Sequence, residues 1–384
     1  MKEYNIAVIA GDGVGPEIIS EGIKVLDAVA DLGGIKINYE KYPHGAEHYI
    51  KTGEILPDKV INELKDFKAI YFGSVGDPRV APSILEVGLV LKIRFELDQY
   101  INLRPIKLYP NVESPLKNSN GIDFYVVREN TEDFYNGMGA ILRTNGSKVQ
   151  KHTSMLSMKR TMYNSNISVT SELGMADDYG LNIGIITSRG AERAIRYAFK
   201  LAEQKGKKKV TSVDKYNVLP HIYGIWREAF EKVSKEYPEV DVEYSFVDAI
   251  AMWFVKDPAK FDVVVAPNLF GDIITDLAAG ITGGLGFAAG ANINPTGVSM
   301  FEPIHGSAPK YKGLNVVNPI ATILSGCLLL ENIGELELGH LVEEAVKQTL
   351  IEGHIRTKDM GGTSSTTEMG EAIAAKIYEM GDRK

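Results

Sequence analysis

The chain is predicted to be an α/β protein with a mostly parallel central sheet, helices on both faces, and two domains. Three observations predict this. Strand and helix patterns alternate from residue 4 to residue 73, the order that builds a parallel sheet. The later run at 261–266 (F-D-V-V-V-A) is almost wholly apolar, as in strands covered on both faces. The length of 384 residues, with 44% hydrophobic and 24% charged, suits two globular domains.

Residues 4–10 (Y-N-I-A-V-I-A) read as a buried strand, and 11–17 (G-D-G-V-G-P-E) as a loop. Pro16 suits the first turn of a helix at 18–30, which Gly33 and Gly34 stop. Strand 35–39, helix 57–64 and strand 69–72 follow. A helical pattern at 83–100 carries Lys92, Arg94 and Glu96. N-L-R-P (102–105) separates it from a strand at 106–109, and another strand spans 122–127. Residues 140–158 alternate polar and apolar, with Gly146 near the tip of a hairpin or arm. Residues 159–179 are polar and carry no assignable period. Helix 190–204, strand 209–213, helix 222–235 and strand 242–246 come next. Pro267 and Asn268 end the strand at 261–266, and Gly271 frees the turn into a helix bearing Asp272 and Asp276. A glycine-rich loop (282–290), F-E-P-I-H-G-S-A-P (301–309) and two helices complete the chain.

Lysine plus arginine is 42 against 50 acidic residues, a net charge of −8, which argues against a general nucleic-acid binder. The single cysteine, Cys327, lies in I-L-S-G-C-L-L-L and reads as a buried inert thiol. One cysteine, no cleavable signal segment and no membrane-spanning apolar run lead us to expect a cytoplasmic protein.

Asp272 and Asp276 are one helical turn apart, so both carboxylates leave the same face. A hard divalent cation would relieve their repulsion. Alternatively, Asp272 sits near a helix N-terminus, where negative charge is favoured, and Asp276 faces water. Asp248, just after an aromatic strand end, is either a third metal oxygen or a helix cap. Arg94, Arg104 and Arg128 stand at element ends, and arginine is suited to bidentate carboxylate binding, although a lone arginine is more often a surface ion pair. Tyr135 and Lys215 are candidates for proton transfer, with a solvated lysine as the plainer reading of Lys215. The loop at 11–17 fails the G-x-G-x-x-G dinucleotide pattern, because its glycines are Gly11, Gly13 and Gly15, followed by Pro16.

Seven segments, G-D-G-V-G-P-E, N-L-R-P, R-E-N-T-E-D-F-Y, V-D-K-Y-N-V-L, D-A-I-A-M-W, N-L-F-G-D-I-I-T-D and H-G-S-A-P, together resemble the β-decarboxylating hydroxyacid dehydrogenases. This family includes isopropylmalate, isocitrate, homoisocitrate and tartrate/D-malate dehydrogenases. The resemblance covers nearly the whole chain. It implies an isopropylmalate-dehydrogenase-like fold, with residues 1–105 and 262–384 forming a larger domain that carries the nucleotide loop. Residues 106–261 would form a smaller domain with the dimer interface and an arm at about 139–189, longer than in typical isopropylmalate members. The resemblance also implies that Arg94, Arg104 and Arg128 hold substrate carboxylate, that Tyr135 and Lys215 handle protons, and that Asp248, Asp272 and Asp276 bind Mg2+ or Mn2+. The lysine and the first aspartate would come from the partner subunit, giving a homodimer with shared sites.

H-G-S-A-P is similar to the family's adenosine loop, which brings in His305, Gly306, Ser307 and Ala308. Asn217 and Asn318 are carried over as cofactor residues in the same way. Lys310 and Tyr311 follow where NAD-using members have an aspartate, and with Val317 they match the NADP-using pattern. NADP is therefore the expected cofactor and NAD the alternative. Isocitrate-using members carry serine and asparagine where this chain has Gly88 and Val90, so an apolar wall replaces groups that would pair a third carboxylate. The resemblance ranks 3-isopropylmalate first, a step of leucine biosynthesis, with D-malate or tartrate next. Isocitrate, homoisocitrate or a non-catalytic regulatory subunit rank lower. No membrane or nucleic-acid partner is implied.

Overall fold

The computed structural model describes residues 1–142, 150–160, 163–173 and 178–381. The chain begins with β1 (Lys2–Gly11), α1 (Gly15–Gly33), β2 (Ile35–Lys41), α2 (Ala46–Thr52), α3 (Asp58–Leu64) and β3 (Ala69–Ser74). β1 lies between β2 and β3, parallel to both. Gly34 closes α1 in the left-handed region at φ 62°. α2 was not foreseen; it spans barely two turns between Gly45 and Gly53, too short for a helical period to show.

The helix expected at 83–100 is a π-turn over Glu86–Leu91 followed by the short α4 (Lys92–Glu96). Gly88 explains part of this departure. A Cβ there would lie 2.5 Å from Ile55 Cδ1, so the backbone packs directly on that side chain. Single π-turns of this kind often mark functional sites.

β4 (Ile101–Lys107) takes in N-L-R-P and so begins five residues before the strand expected at 106–109. Pro105 faces Tyr125 of β5 (Asp123–Glu129) in an antiparallel pair. The Tyr125 N–H donates the other way, to the Asp262 carbonyl at 2.9 Å. Pro105 is thus at a non-hydrogen-bonded position toward β5. On its far side, sheet pairing stops at Leu103, so the missing N–H breaks no ladder bond.

The stretch expected to form an arm contains β6 (Gly139–Leu142), β7 (Gln150–Lys159), β8 (Asn164–Leu173) and β9 (Tyr179–Asn182). β6 pairs with β9 and β7 with β8, all antiparallel. The stretch at 159–179 therefore holds a strand, hidden in the sequence because its core is small: Met138, Leu156 and Met158. Gly146, the expected tip, lies outside the described residues.

α5 (Ser188–Gln204), β10 (Lys209–Asp214), α6 (Pro220–Ser234), β11 (Asp241–Phe246), α7 (Val247–Lys256), β12 (Val263–Ala266) and α8 (Asn268–Ile281) follow as crossover units. Alternation in β12 shows why its sequence is continuously apolar. Val263 and Val265 pack with Phe199 and Trp226 of α5 and α6, whereas Val264 and Ala266 pack with Phe254 and Ile274 of α7 and α8. Each such side chain contributes about 1.5–3 kcal/mol of burial.

β13 (Ala289–Ile293) and β14 (Ser299–Pro303) were missed, although both are wholly buried. The Ala, Gly and Asn of β13 and the Glu and Pro of β14 have poor strand propensity. Three helices, α9 (Ile320–Ile333), α10 (Leu336–Glu352) and α11 (Thr366–Gly381), end the described chain where two were expected. α9 is buried almost all round and holds Cys327, whose thiol burial pushes well up. Among the described residues, one ten-stranded sheet runs in the order β11-β10-β12-β5-β4-β13-β14-β3-β1-β2. It is parallel except around β4 and β13. No helix of the described residues is long and apolar enough to cross a membrane.

Candidate active site

Arg128, the last residue but one of β5, lies opposite Ala266, the last residue of β12, and α8 follows. This is the carboxyl edge of parallel strands, where α/β sheets place ligands. Gly271 brings α8 close, since a Cβ there would lie 2.6 Å from Arg128 Cγ. The buried Arg128 guanidinium is held from three sides. Nε and Nη2 donate to Asn268 Oδ1 at 3.0 and 2.7 Å, and Nη1 pairs with Asp272. Tyr135 sits 4.9 Å from the guanidinium and donates its hydroxyl to Asp272 Oδ2 at 2.6 Å. Burial would raise the Asp272 carboxyl, but Arg128, Tyr135, Arg104 and Arg94 outweigh it and hold it below the usual range. Burial, then Asp272, raises the Tyr135 phenol, so its proton stays on at neutral pH.

Arg94, Arg104, Tyr135 and Val90 line one cavity of about 270 Å³, with Glu86, Leu91 and Glu302. Arg94 Nη2 pairs with Glu302 Oε1 at 3.1 Å, while its Nε is buried with no partner. Arg104 Nε donates to Asn102 Oδ1 at 2.6 Å. Burial, then Arg128, pushes the Arg104 guanidinium down to about 10, which leaves it charged at neutral pH.

Lys215 and Asp248 stand apart from this cavity. They form an exposed pair at 2.5 Å, and the hydrogen bond from Lys215 holds the Asp248 carboxyl low. Asp276 is exposed on α8. Among the described residues of a single chain, no three acidic, histidine or cysteine side chains gather as a metal site.

A second cavity of about 640 Å³ shares His305 and Gly306 with the first and is lined by Val14, Ala308, Tyr311, Val317 and Asn318. Ser307 is buried beneath it, and its carbonyl accepts from Val14 N at 2.9 Å. Gly13 is needed for this approach, because a Cβ would sit 1.9 Å from that carbonyl oxygen. Thus the loop that fails the dinucleotide pattern braces the adenosine-like loop instead. His305 Nε2 is buried without a partner, and burial keeps the ring neutral. Lys310 lies 4.8 Å over the Tyr311 ring, and Lys358 lies 5.8 Å from the same ring. Asn217 is exposed beside Lys215 and does not line this cavity within one chain.

Sequence reasoning missed Glu302, Asn102, Asn292, Glu86, Lys358 and Asp359. A usable signal existed for Glu302: a lone acid in an otherwise apolar buried run needs a partner.

The segment after Arg128 is acidic and buried. Asp133, at φ 60°, accepts from Leu269 N at 2.9 Å, and burial raises its carboxyl to about 6. Burial, then Glu132, raises Glu129 as well. A raised carboxyl stabilises the fold fully below its unfolded value near ~3.9 and loses that contribution as pH rises through the folded value. Burial lowers His44 and His305, which acts in the opposite direction. A difference measurement isolates Asp133. The destabilisation caused by Asp133→Asn, measured in urea, should shrink by about 1–3 kcal/mol between pH 5 and pH 8. A pH-independent difference would contradict the assignment.

One sheet with a cationic cavity opening beside a larger, mainly apolar one defines an α/β protein with two adjoining cavities. The chain belongs to the isocitrate/isopropylmalate dehydrogenase family, whose model matches residues 5–373. It is 43% identical to the 3-isopropylmalate dehydrogenase of Thermobifida fusca, covering 99% of both chains. It is also 43% identical to that of Corynebacterium glutamicum strain R, covering 97% of this chain and 99% of the relative. The crystal structure of isocitrate dehydrogenase from Methylococcus capsulatus matches with a TM-score of 0.82 at 32% identity, covering 97% of this chain and 99% of that one.

Proposed function

We propose that the protein catalyses metal-dependent oxidative decarboxylation of 3-isopropylmalate with hydride transfer to a nicotinamide cofactor. The observation that carries this is the smaller cavity, where Arg94 and Arg104 face the same space as Val90 and Leu91. Two guanidiniums suit carboxylates, and the apolar wall suits a branched alkyl group. The names of the relatives point the same way. Compared by kcat/KM across 3-isopropylmalate, D-malate, tartrate and isocitrate, 3-isopropylmalate should rank first. A higher value for D-malate would replace it as the substrate.

Asp272 and Asp276 present only carboxylate oxygens one turn apart on α8, the donor type that Mg2+ or Mn2+ takes. We assign Asp248 to the same site from the partner subunit. When bound, such an ion supplies Lewis acidity at the substrate's C1 carboxylate and C2 hydroxyl. The unpartnered His305 Nε2 and the apolar lining of the larger cavity fit a nicotinamide dinucleotide, which accepts hydride from C2 when bound. Arg94, Arg104 and Arg128 hold and orient the carboxylates. Lys215 of the partner subunit takes the hydroxyl proton as hydride leaves C2. The resulting β-keto acid loses CO2, and Tyr135, still protonated, returns a proton at C3.

Lys310 and Tyr311 beside the larger cavity, joined by Lys358, favour NADP over NAD. Lysines there would pair a 2′-phosphate. Lys310→Asp should lower kcat/KM for NADP by about tenfold to hundredfold relative to NAD, the value of one charge-assisted contact. An unchanged ratio would point to NAD.

A homodimer completes the proposal. Met252, Trp253 and Val255 on α7 and Ile273 on α8 are exposed apolar residues around Asp248 and Asp272. Such a patch fits a subunit interface. The two lobes proposed here are residues 1–105 with 262–384, and 106–261.

A further inference from the structure

We propose that Asn292 is a positioning residue that orients both cavity arginines through one hydrogen-bonded relay. The inference rests on the substrate-binding reading of Arg94 and Arg104. Asn292 lies on β13, fully buried, opposite Asn102 of β4. Its Oδ1 accepts from Asn102 Nδ2 and from Asn130 Nδ2, each at 2.9 Å. Its Nδ2 donates to Glu302 Oε1 at 2.6 Å. Asn102 Oδ1 in turn accepts from Arg104 Nε, and Glu302 Oε1 accepts from Arg94 Nη2.

The relay has one possible polarity. Arginine only donates, so Asn102 must turn its oxygen to Arg104 and its NH2 to Asn292. Glu302 is the acceptor for Arg94, so Asn292 must turn its NH2 to Glu302. Each amide has its orientation fixed at both ends. Arg104 and Arg94, on β4 and α4, are thereby tied to one central side chain that does not line the cavity. Two cations would otherwise repel across a small buried space. The relay sets one carboxylate, Glu302, against Arg94 and one amide oxygen against Arg104. It therefore sets how far apart the two guanidiniums stand, and so which spacing of substrate carboxylates the cavity accepts.

Asn292→Leu has nearly the same shape but removes both ends of the relay, and Asn292→Asp keeps the Asn102 end while setting two carboxylates against each other at Glu302. In both variants KM for 3-isopropylmalate should rise about tenfold or more, with kcat falling less than KM rises. The dissociation constant for reduced cofactor, measured by its fluorescence without substrate, should stay within about twofold and shows that the protein is folded. Gln99→Leu is the control. Gln99 is as fully buried and donates to the Val298 carbonyl at 3.0 Å, with its side chain outside the relay. It should leave KM within about twofold. Unchanged KM in both Asn292 variants, or an equal rise in Gln99→Leu, overturns the relay while wild-type turnover stands. Absence of wild-type turnover on every acid tested sinks the substrate reading and the relay together.

Discussion

Lys215→Met should leave a folded protein whose kcat is about 10²–10⁴-fold lower, the range that a general acid–base group supplies. Stability should hardly change, because the lysine's ion pair is with the exposed Asp248 and exposed pairs contribute little. The cause lies in where the lysine stands. Within one chain it does not line the arginine-bearing cavity, so the role proposed for it needs a second subunit. Mixing provides a sharper test. Dimers of one Lys215→Met subunit and one Asp272→Asn subunit should regain one working site, because one cavity then keeps its own Asp272 and receives the partner's intact lysine. No recovery on mixing would place Lys215 outside the reaction or within its own subunit's site.

Arg128→Met is expected to cost both stability and substrate binding. The side chain is only 2% exposed and forms an ion pair with Asp272, which Tyr135 also hydrogen-bonds. Asp272 would remain partly exposed and hydrogen-bonded to Tyr135, so the loss of its charged partner should cost about 1–3 kcal/mol. Asn268 Oδ1 would lose two donors as well. Arg128→Lys should recover little, since a point donor cannot reach Asn268 and Asp272 together. Urea unfolding and substrate KM check both effects. A variant with wild-type stability and KM would mean that Arg128 neither holds Asp272 nor binds substrate.

The stretch from 261 to 281 shows what the sequence could reveal. Its strand is continuously apolar because both faces are covered, and Gly271 is glycine because Arg128 occupies the space of a Cβ. Local pattern carries that much. β13 and β14 were invisible because their strand character comes from neighbours far along the chain rather than from propensity. The same holds for Asn292, which looks like an ordinary polar residue until sheet order sets it beside Asn102 and Glu302. Arg94 itself was legible as a candidate, but the π-turn that precedes it was not. A helical period says nothing about one added residue per turn. Asp248 and Lys215 each read from the sequence as candidate groups, and within one chain they pair with each other.

The most direct test of the account is the stoichiometry of the reaction on 3-isopropylmalate, with and without divalent ion. Purified protein with Mn2+ should release one CO2 per nicotinamide reduced, and a chelator should abolish both signals until metal is restored. Cofactor reduction without CO2 release, turnover indifferent to the chelator, or no turnover of 3-isopropylmalate would contradict it.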